Sequence, residues 1–160
     1  MKDLEEKILK CLEENARYSN ADIAKIVGYN EAEVERTIEA LENNGVILKY
    51  GAVVNRTEDT KKVSAVIEVK VTPQAMYGFD KTAEVLCQYS EIKSMYLMSG
   101  TYDLLLFVEA DSLLAVSDFV SEKLSLIDGI TGCATHFVLK NYKVDGAVAL
   151  KSAEVERELL

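Results

Sequence analysis

The sequence has little of what secreted, metal-binding or unstructured chains require. Its 160 residues include one proline, one histidine, no tryptophan and three cysteines, none of them in a C-x-x-C pair. Cysteines this few and this widely spaced imply neither a disulfide framework nor a zinc site, and the lone His136 leaves no multi-histidine metal site. We therefore expect buried thiols, and we expect no metal, no cofactor and no catalytic residues.

Long hydrophobic runs are also missing. No stretch approaches the ~18 apolar residues that cross a bilayer, and the first residues lack the apolar core of a signal peptide. These absences predict a cytoplasmic protein without membrane contact. Because 49% of the residues are hydrophobic and 28% are charged, a disordered or collagen-like chain is excluded. The length fits one large domain or two small ones.

The net charge constrains the partners most strongly. Eighteen basic residues stand against 27 acidic ones, so the chain carries a charge of −9. Such a charge repels phosphate backbones and anionic lipids at long range. A nucleic-acid function must overcome this repulsion through local groups.

The first 55 residues show three segments with apolar residues at helical spacing, which predicts a compact trihelical unit. The second segment opens with Ser19 and Asp22 at capping-box spacing and stops at Gly28. The third opens with Asn30 and Glu33 at the same spacing. It ends at Asn44-Gly45, and the β-branched stretch Val46–Val54 that follows is predicted to be extended. Two helices joined by Gly28-Tyr29-Asn30 are typical of a helix-turn-helix, although all-α proteins that never touch DNA also contain such pairs.

The second half of the chain changes period after the polar stretch Arg56–Lys62. We therefore predict a helix-turn-helix domain at 1–55, a linker at 56–62, a second domain at 63–150 and a tail at 151–160. The expected strands are Val63–Val71, Ile92–Met98, Tyr102–Glu109 and Ile130–Tyr142, and the expected helices are Phe79–Tyr89 and Asp111 to Asp128-Gly129.

This order, βαββαβ, predicts an α+β protein whose second domain is ferredoxin-like, with both helices on one face of an antiparallel sheet. The other face needs cover. We expect residues such as Val66, Tyr96 and Leu106 to form an exposed apolar patch there, and such patches mark interfaces. The chain is therefore predicted to form a homodimer through this face.

Several stretches resemble the Lrp/AsnC family, the leucine-responsive (feast/famine) transcriptional regulators. They are Leu12-Glu13-Glu14-Asn15-Ala16-Arg17 with Asp22-Ile23-Ala24-Lys25-Ile26-Val27-Gly28, Val34-Glu35-Arg36-Thr37-Ile38 with Leu41-Glu42-Asn43-Asn44-Gly45-Val46-Ile47, and Met98-Ser99-Gly100-Thr101-Tyr102-Asp103-Leu104. The resemblance spans nearly the whole chain in the right order. It implies a winged helix-turn-helix that binds promoter DNA, a C-terminal amino-acid-sensing domain, and sheet-mediated dimers that often assemble into octamers with effectors bound between dimers.

The candidate site residues form two groups. For DNA, the expected contacts are Arg17, Asn20, Lys25, Asn30, Arg36, Thr37 and Lys49, with Arg56 nearby. For the effector, a glycine hairpin presents backbone N–H groups, and Asp103 is a carboxylate acceptor for an ammonium group. The expected effector contacts are Ser99, Gly100, Thr101, Tyr102 and Asp103, with Thr135 and His136 contributed from the last strand across a dimer–dimer boundary. A plain turn in which Asp103 caps its own hairpin is the alternative.

The predicted recognition helix departs from the family because it is acidic. Residues 30–44 contain five glutamates and one basic residue, Arg36. Two interpretations follow. In the first, an oligomer still binds operator DNA through several linked units. In the second, the chain has lost DNA binding and acts as a metabolite sensor or as a partner of a basic paralogue. A third possibility, a siroheme-decarboxylase-like enzyme, shares this architecture but is expected to need more histidine and arginine for porphyrin carboxylates than His136 and Arg157 provide.

Overall fold

The computed structural model of the chain describes residues 2–55, 62–73 and 78–149. The chain divides into two compact units, Met1–Val54 and Asn55–Leu160. The division falls one residue before the end predicted for the first domain. Of the predicted linker at 56–62 only Lys62 lies among the described residues, and the predicted tail at 151–160 lies outside them.

The first unit is a bundle of three helices: α1 (Lys2–Glu14), α2 (Asn20–Val27) and α3 (Glu31–Asn43). The predicted capping box of α2 is present, because the Ser19 hydroxyl accepts from the Asp22 amide and the Asp22 carboxylate accepts from the Ser19 amide. Gly28 ends α2 at φ 77°, a left-handed conformation that glycine adopts without a steric penalty. The trihelical prediction is confirmed.

The core of the first unit is built from one stripe of each helix. Its buried members are Ile8 and Cys11 of α1, Ile23 and Ala24 of α2, and Val34, Ile38 and Leu41 of α3. Because the buried positions of each helix are one, three or four residues apart, they share one side of that helix, and its polar side faces outward. This packing holds α2 and α3 in place on either side of the turn at Gly28.

The segment after α3, Val46–Val54, is predicted to be extended. Residues 46–55 belong to no strand in the described part of the chain. The amides of Val46 and Ile47 instead donate to the carbonyl of Leu41, which closes the end of α3. β-Branched residues favour extended backbone, but a strand also needs a partner for its N–H and C=O groups.

The second unit is an antiparallel sheet with helices on one face. Its elements are β1 (Val63–Val71), α4 (Asp80–Leu86), β2 (Ile92–Leu97), β3 (Leu104–Ala110), α5 (Leu113–Asp118) and β4 (Ile130–Phe137). The strand order is β2-β3-β1-β4, with all neighbours antiparallel. The predicted βαββαβ order is therefore confirmed, and with it the α+β fold of a helix-turn-helix followed by a ferredoxin-like domain.

Strand alternation separates the two faces of the sheet. Alternate residues of β1 and β3, such as Ile67, Val69 and Leu106, are buried against the helices with Phe119 and Leu124. Leu106 was predicted on the open face, and this is wrong because it is in register with Ile67 on the helical side. Val66 and Tyr96 do lie on the opposite side, which we call the open face of the sheet.

Three predicted elements are shorter than expected. The helix predicted over Phe79–Tyr89 is α4 alone, and the one predicted to reach Asp128-Gly129 ends as an α-helix at Asp118. One turn of π-helix (Phe119–Lys123) and one of 3₁₀-helix (Leu124–Leu126) complete it, which still buries Phe119 and Leu124. The last strand ends at Phe137 rather than Tyr142, and a small hairpin, β5 (Lys143–Val144) and β6 (Ala147–Val148), follows.

The cysteines are also less buried than predicted. Cys11 is buried in the helical core, whereas Cys87 and Cys133 are exposed. Cys133 belongs to β4, an edge strand of the described sheet. None of the helices in the described part of the chain is long and apolar enough to cross a membrane.

Candidate functional site

The side of α3 that points away from the core is less acidic than the helix as a whole. At about 100° per residue, the positions opposite Val34, Ile38 and Leu41 are those of Ala32, Arg36, Glu39 and Asn43. We call these four residues the outward face of α3. All four are exposed, and Glu39 is the one acidic residue among them.

The other glutamates of α3 fall on the flanks of the helix, and two have partners within the unit. The Glu33 side chain accepts from the amide group of Asn30 at 2.5 Å. The Glu42 carboxylate accepts from the Tyr50 hydroxyl at 2.7 Å, which fixes Tyr50 beside the helix. Partial burial and this carboxylate raise the pKa of Tyr50 to about 12, because both disfavour the phenolate. The net charge of the helix therefore overstates the charge of its outward face.

The predicted DNA-contacting residues divide into free and occupied groups. Arg17, Lys25, Arg36 and Lys49 are exposed, and within the described residues none of them forms an ion pair. Asn30 and Thr37 are occupied in the helix itself: the Asn30 side chain caps α3 through the Glu33 amide, and the Thr37 hydroxyl donates to the Glu33 carbonyl at 2.7 Å. Asn20 is half-buried as the first residue of α2. Arg56 lies outside the described residues.

Two polar residues of the outward face were absent from the sequence-based set. Glu39 and Asn43 stand on the same face as Arg36, one and two turns further along α3. At 3.6 residues per turn, the buried stripe of α3 places Glu39 and Asn43 on the opposite side of the helix. Residue type alone did not single them out, because neither is a cation or a helix cap. The outward face therefore carries the Arg36 guanidinium, the Glu39 carboxylate and the Asn43 amide. These are side-chain types that form hydrogen bonds with base edges.

The predicted effector residues 99–103 form the loop that joins β2 to β3, and we call residues 98–103 the hairpin loop. The loop is closed by a 2.8 Å hydrogen bond from the Met98 amide to the Asp103 carbonyl. Ser99, Gly100 and Thr101 are exposed, and Tyr102 is half-buried.

Asp103 closes the loop with its carbonyl and binds the neighbouring strand β1 with its amide and its side chain. Its amide donates to the Val69 carbonyl at 3.0 Å, and its Oδ2 accepts from the Val71 amide at 2.8 Å. The ladder between β1 and β3 ends at the pair Val69–Leu104, so Val71 has no backbone partner on β3. The carboxylate takes that place and occupies one of its two oxygens.

Thr135 and His136 do not point the same way. They are consecutive residues of β4, so their side chains lie on opposite faces of the sheet. His136 is in register with Val66 on the open face, and its Nε2 lies 3.6 Å from Oε1 of Glu68. Thr135 is in register with Ile67 on the helical side. The structure therefore does not bring the two together in one pocket of a single protomer.

The open face carries aromatic side chains. The rings of Tyr96 and Phe107 meet edge to face with their centroids 5.9 Å apart, and they are 52% and 41% exposed. Half-exposed aromatic pairs of this kind are typical of surfaces that become buried in an assembly.

Comparison with known protein families assigns both units. A family described as the Lrp/AsnC ligand binding domain matches residues 64–148, and one described as a winged helix-turn-helix DNA-binding domain matches residues 1–47. Among curated relatives, the uncharacterized HTH-type transcriptional regulator YugG of Bacillus subtilis is 42% identical over 90% of this chain and 88% of its own length. The HTH-type transcriptional regulator LrpA of Pyrococcus abyssi is 28% identical over 85% of this chain and 94% of its own.

Solved structures share the arrangement. A transcriptional regulator of Neisseria meningitidis in complex with L-Met is 25% identical, with a TM-score of 0.70 over 91% of this chain and 94% of that one. The leucine response regulatory protein of Mycobacterium tuberculosis has the same fold, with a TM-score of 0.76 over 91% of this chain and 97% of that one at 19% identity. With both units matched in order, the chain belongs to the Lrp/AsnC family of transcriptional regulators, with an N-terminal helix-turn-helix and a C-terminal ligand-binding domain.

Proposed function

We propose that this regulator binds promoter DNA through the outward face of α3, acts as an oligomer in the cytoplasm, and responds to an amino-acid effector. The observation that carries the DNA proposal is the position of Arg36. Its side chain is exposed at the centre of the outward face, and no acidic side chain in the described residues pairs with it. An unpaired arginine on this helix is free for bidentate contacts with guanine or phosphate.

The surrounding cations support the same surface. Arg17 precedes α2, Lys25 lies on α2 and Lys49 follows α3, so three exposed cations besides Arg36 lie in or next to the helix-turn-helix. Few phosphate contacts mean weak non-specific binding and a shallow salt dependence. We infer that affinity comes from several such units linked in one oligomer, because linkage makes each later binding event intramolecular.

The oligomer is proposed to begin with a dimer through the open face of the sheet. The helices cover only the other face, so Tyr96 and Phe107 remain half-exposed unless a second copy covers them. An isologous contact of this kind buries the same patch on both protomers. Further association of dimers, as in an octamer, is part of the proposal.

The effector is proposed to bind at residues Ser99–Asp103. One oxygen of the Asp103 carboxylate is engaged with Val71, which leaves the other to accept from an ammonium group. The neighbour from Neisseria meningitidis is described as a complex with L-Met, which supports an amino acid as the ligand class. Either Thr135 or His136, but not both, is available to the same pocket from one partner protomer.

Two alternatives are less well supported. A sensor that has lost DNA binding agrees with the charge of −9, but the glutamates of α3 lie mostly on its flanks. A decarboxylase of related architecture agrees with the fold, but the relatives YugG and LrpA are HTH-type transcriptional regulators. We therefore infer a regulator and not an enzyme.

The test is the binding of the full-length protein to the DNA upstream of its own gene and to random DNA, measured by fluorescence anisotropy across a salt series. Arg36→Ala is expected to cost ~1 to 3 kcal/mol on the specific site and to relax discrimination at one base pair. Lys7→Ala is the matched control, since it removes one positive charge from an α1 lysine that is paired with Asp3 at 2.7 Å. Equal losses for the two variants, or no binding by the parent at low salt, would contradict the proposal.

A further inference from the structure

A cavity of about 380 Å³ lies on the helical side of the second unit, between α4 and the turn that leads into β4. It is lined by Lys81, Thr82 and Val85 of α4 and by Leu126, Ile127 and Asp128. We call it the α4 cavity. Its volume lies within the range of small-ligand sites, and none of the hairpin-loop residues lines it.

The cavity contains a buried polar group without a partner. Thr82 is 2% exposed, and its hydroxyl makes no hydrogen bond within the described part of the chain. A buried hydroxyl left unpaired costs free energy, and native structures rarely retain one without a reason. The neighbouring turn leaves room beside it, because Gly129 has no side chain and its missing Cβ would lie 3.6 Å from the Thr82 Oγ1.

Two opposite charges flank this hydroxyl. Lys81 and Asp128 are both exposed cavity residues, and neither forms an ion pair with any described residue. The rest of the lining is apolar: Val85 is 40% and Leu126 is 74% exposed to solvent.

We propose that the α4 cavity binds a small zwitterion with an aliphatic side chain, separately from the hairpin loop. The Lys81 ammonium pairs with the ligand carboxylate, the Asp128 carboxylate accepts from the ligand ammonium, and the Thr82 hydroxyl supplies a further hydrogen bond. Val85, Leu126 and Ile127 cover the aliphatic part. The proposal rests on the proposed effector function, because it gives that function a second, separately addressable site.

The test is calorimetric titration of the full-length protein with leucine, and with two analogues that each lack one charge, 3-methylbutylamine and 4-methylpentanoic acid. Leucine is expected to bind, and each analogue to bind about tenfold or more weakly, because each loses one charge-assisted hydrogen bond. Lys81→Gln and Asp128→Asn are expected to weaken leucine binding about tenfold each, for the same reason. Glu84→Gln, a charge change on α4 outside the cavity, is the matched control, and Asp103→Asn tests whether leucine binds at the hairpin loop instead.

Thr82→Val separates a ligand-binding role from a structural one. Because valine fills the same space without the unpaired hydroxyl, the free variant should be as stable as the parent or more so, while binding leucine about threefold or more weakly. Unchanged leucine affinity in all three cavity variants would overturn the proposal, as would binding lost in Asp103→Asn alone or no binding of leucine by the parent. DNA binding is measured in parallel without leucine. A protein that binds DNA but not leucine contradicts the α4-cavity proposal and leaves the regulator function standing.

Discussion

The Oδ2 atom of Asp103 lies 2.8 Å from the backbone nitrogen of Val71, 32 residues earlier in the chain. A side chain thus completes a ladder that backbone pairing leaves unfinished, since the β1–β3 register stops at Val69 and Leu104. On the other side of β1, the register with β4 shifts between Lys70 and Val71. Asp103 therefore fixes the end of the central strand at the point where both ladders change.

Asp103→Ala is expected to destabilise the second unit by ~1 to 3 kcal/mol, because it leaves the part-buried Val71 amide without its acceptor. Asp103→Asn keeps an oxygen in the same place and should lose less stability than the alanine variant. Urea denaturation followed by far-UV circular dichroism measures both. If the alanine variant unfolds at the urea concentration of the parent, the hydrogen bond has no structural role.

The sequence predicts the course of the chain well because local rules apply at each step. Ser19–Asp22 spacing and Gly28 delimit α2, and alternation in β1 separates buried from exposed residues. The partner of Asp103 was not predictable in the same way. It depends on where the β1–β3 register stops, which is set by tertiary packing and not by the residues near position 103.

The candidate sites were predictable to different degrees. Arg36 was found from its charge, whereas Glu39 and Asn43 become visible only when the buried stripe of α3 defines the outward direction. Leu106 was placed on the wrong face because a near-continuous apolar run shows no alternation to read. The α4 cavity is lined by residues of two segments, 81–85 and 126–128. It was not predictable from the sequence, because no local pattern relates those two segments.

The Tyr50–Glu42 hydrogen bond predicts a loss of stability at high pH. The folded pKa of Tyr50 is raised from 10.0 to about 12, so the neutral phenol stabilises the fold fully below pH 10, and this contribution is lost as the pH rises towards about 12. We expect the parent to lose more stability than Tyr50→Phe between pH 9 and pH 11.5. Thermal unfolding of both proteins at the two pH values checks this. Parallel losses would show that other groups cause the effect.

The open face of the sheet predicts the oligomeric state. Phe107→Lys places a charge in the proposed dimer interface and should shift the protein towards monomer, since an unpaired buried charge is costly. Leu114→Lys is the matched control, because Leu114 is also an exposed apolar residue, 69% accessible, but belongs to α5 on the helical side. Sedimentation velocity at micromolar concentration distinguishes the species. A parent that sediments as a 17.8 kDa monomer, or a dimer lost equally in both variants, would contradict this interface.

The position of Glu39 predicts an effect on DNA binding that is specific to this chain. As the one carboxylate on the outward face of α3, it lies closest to the phosphates if that face meets DNA, and it opposes Arg36 there. Glu39→Gln should strengthen binding to promoter and random DNA by about 1 kcal/mol at low salt, roughly fivefold, since unit charges a few ångströms apart in water interact with about that energy. The gain in affinity should fade as salt screens the charge.

Glu31→Gln, on a flank of the same helix, is the control, because it changes the net charge equally and should gain less affinity. Anisotropy titrations of the parent and both variants at two salt concentrations decide the matter. If Glu31→Gln and Glu39→Gln gain equally, the charge acts only through the net charge of the protein, and the outward face of α3 does not approach the DNA.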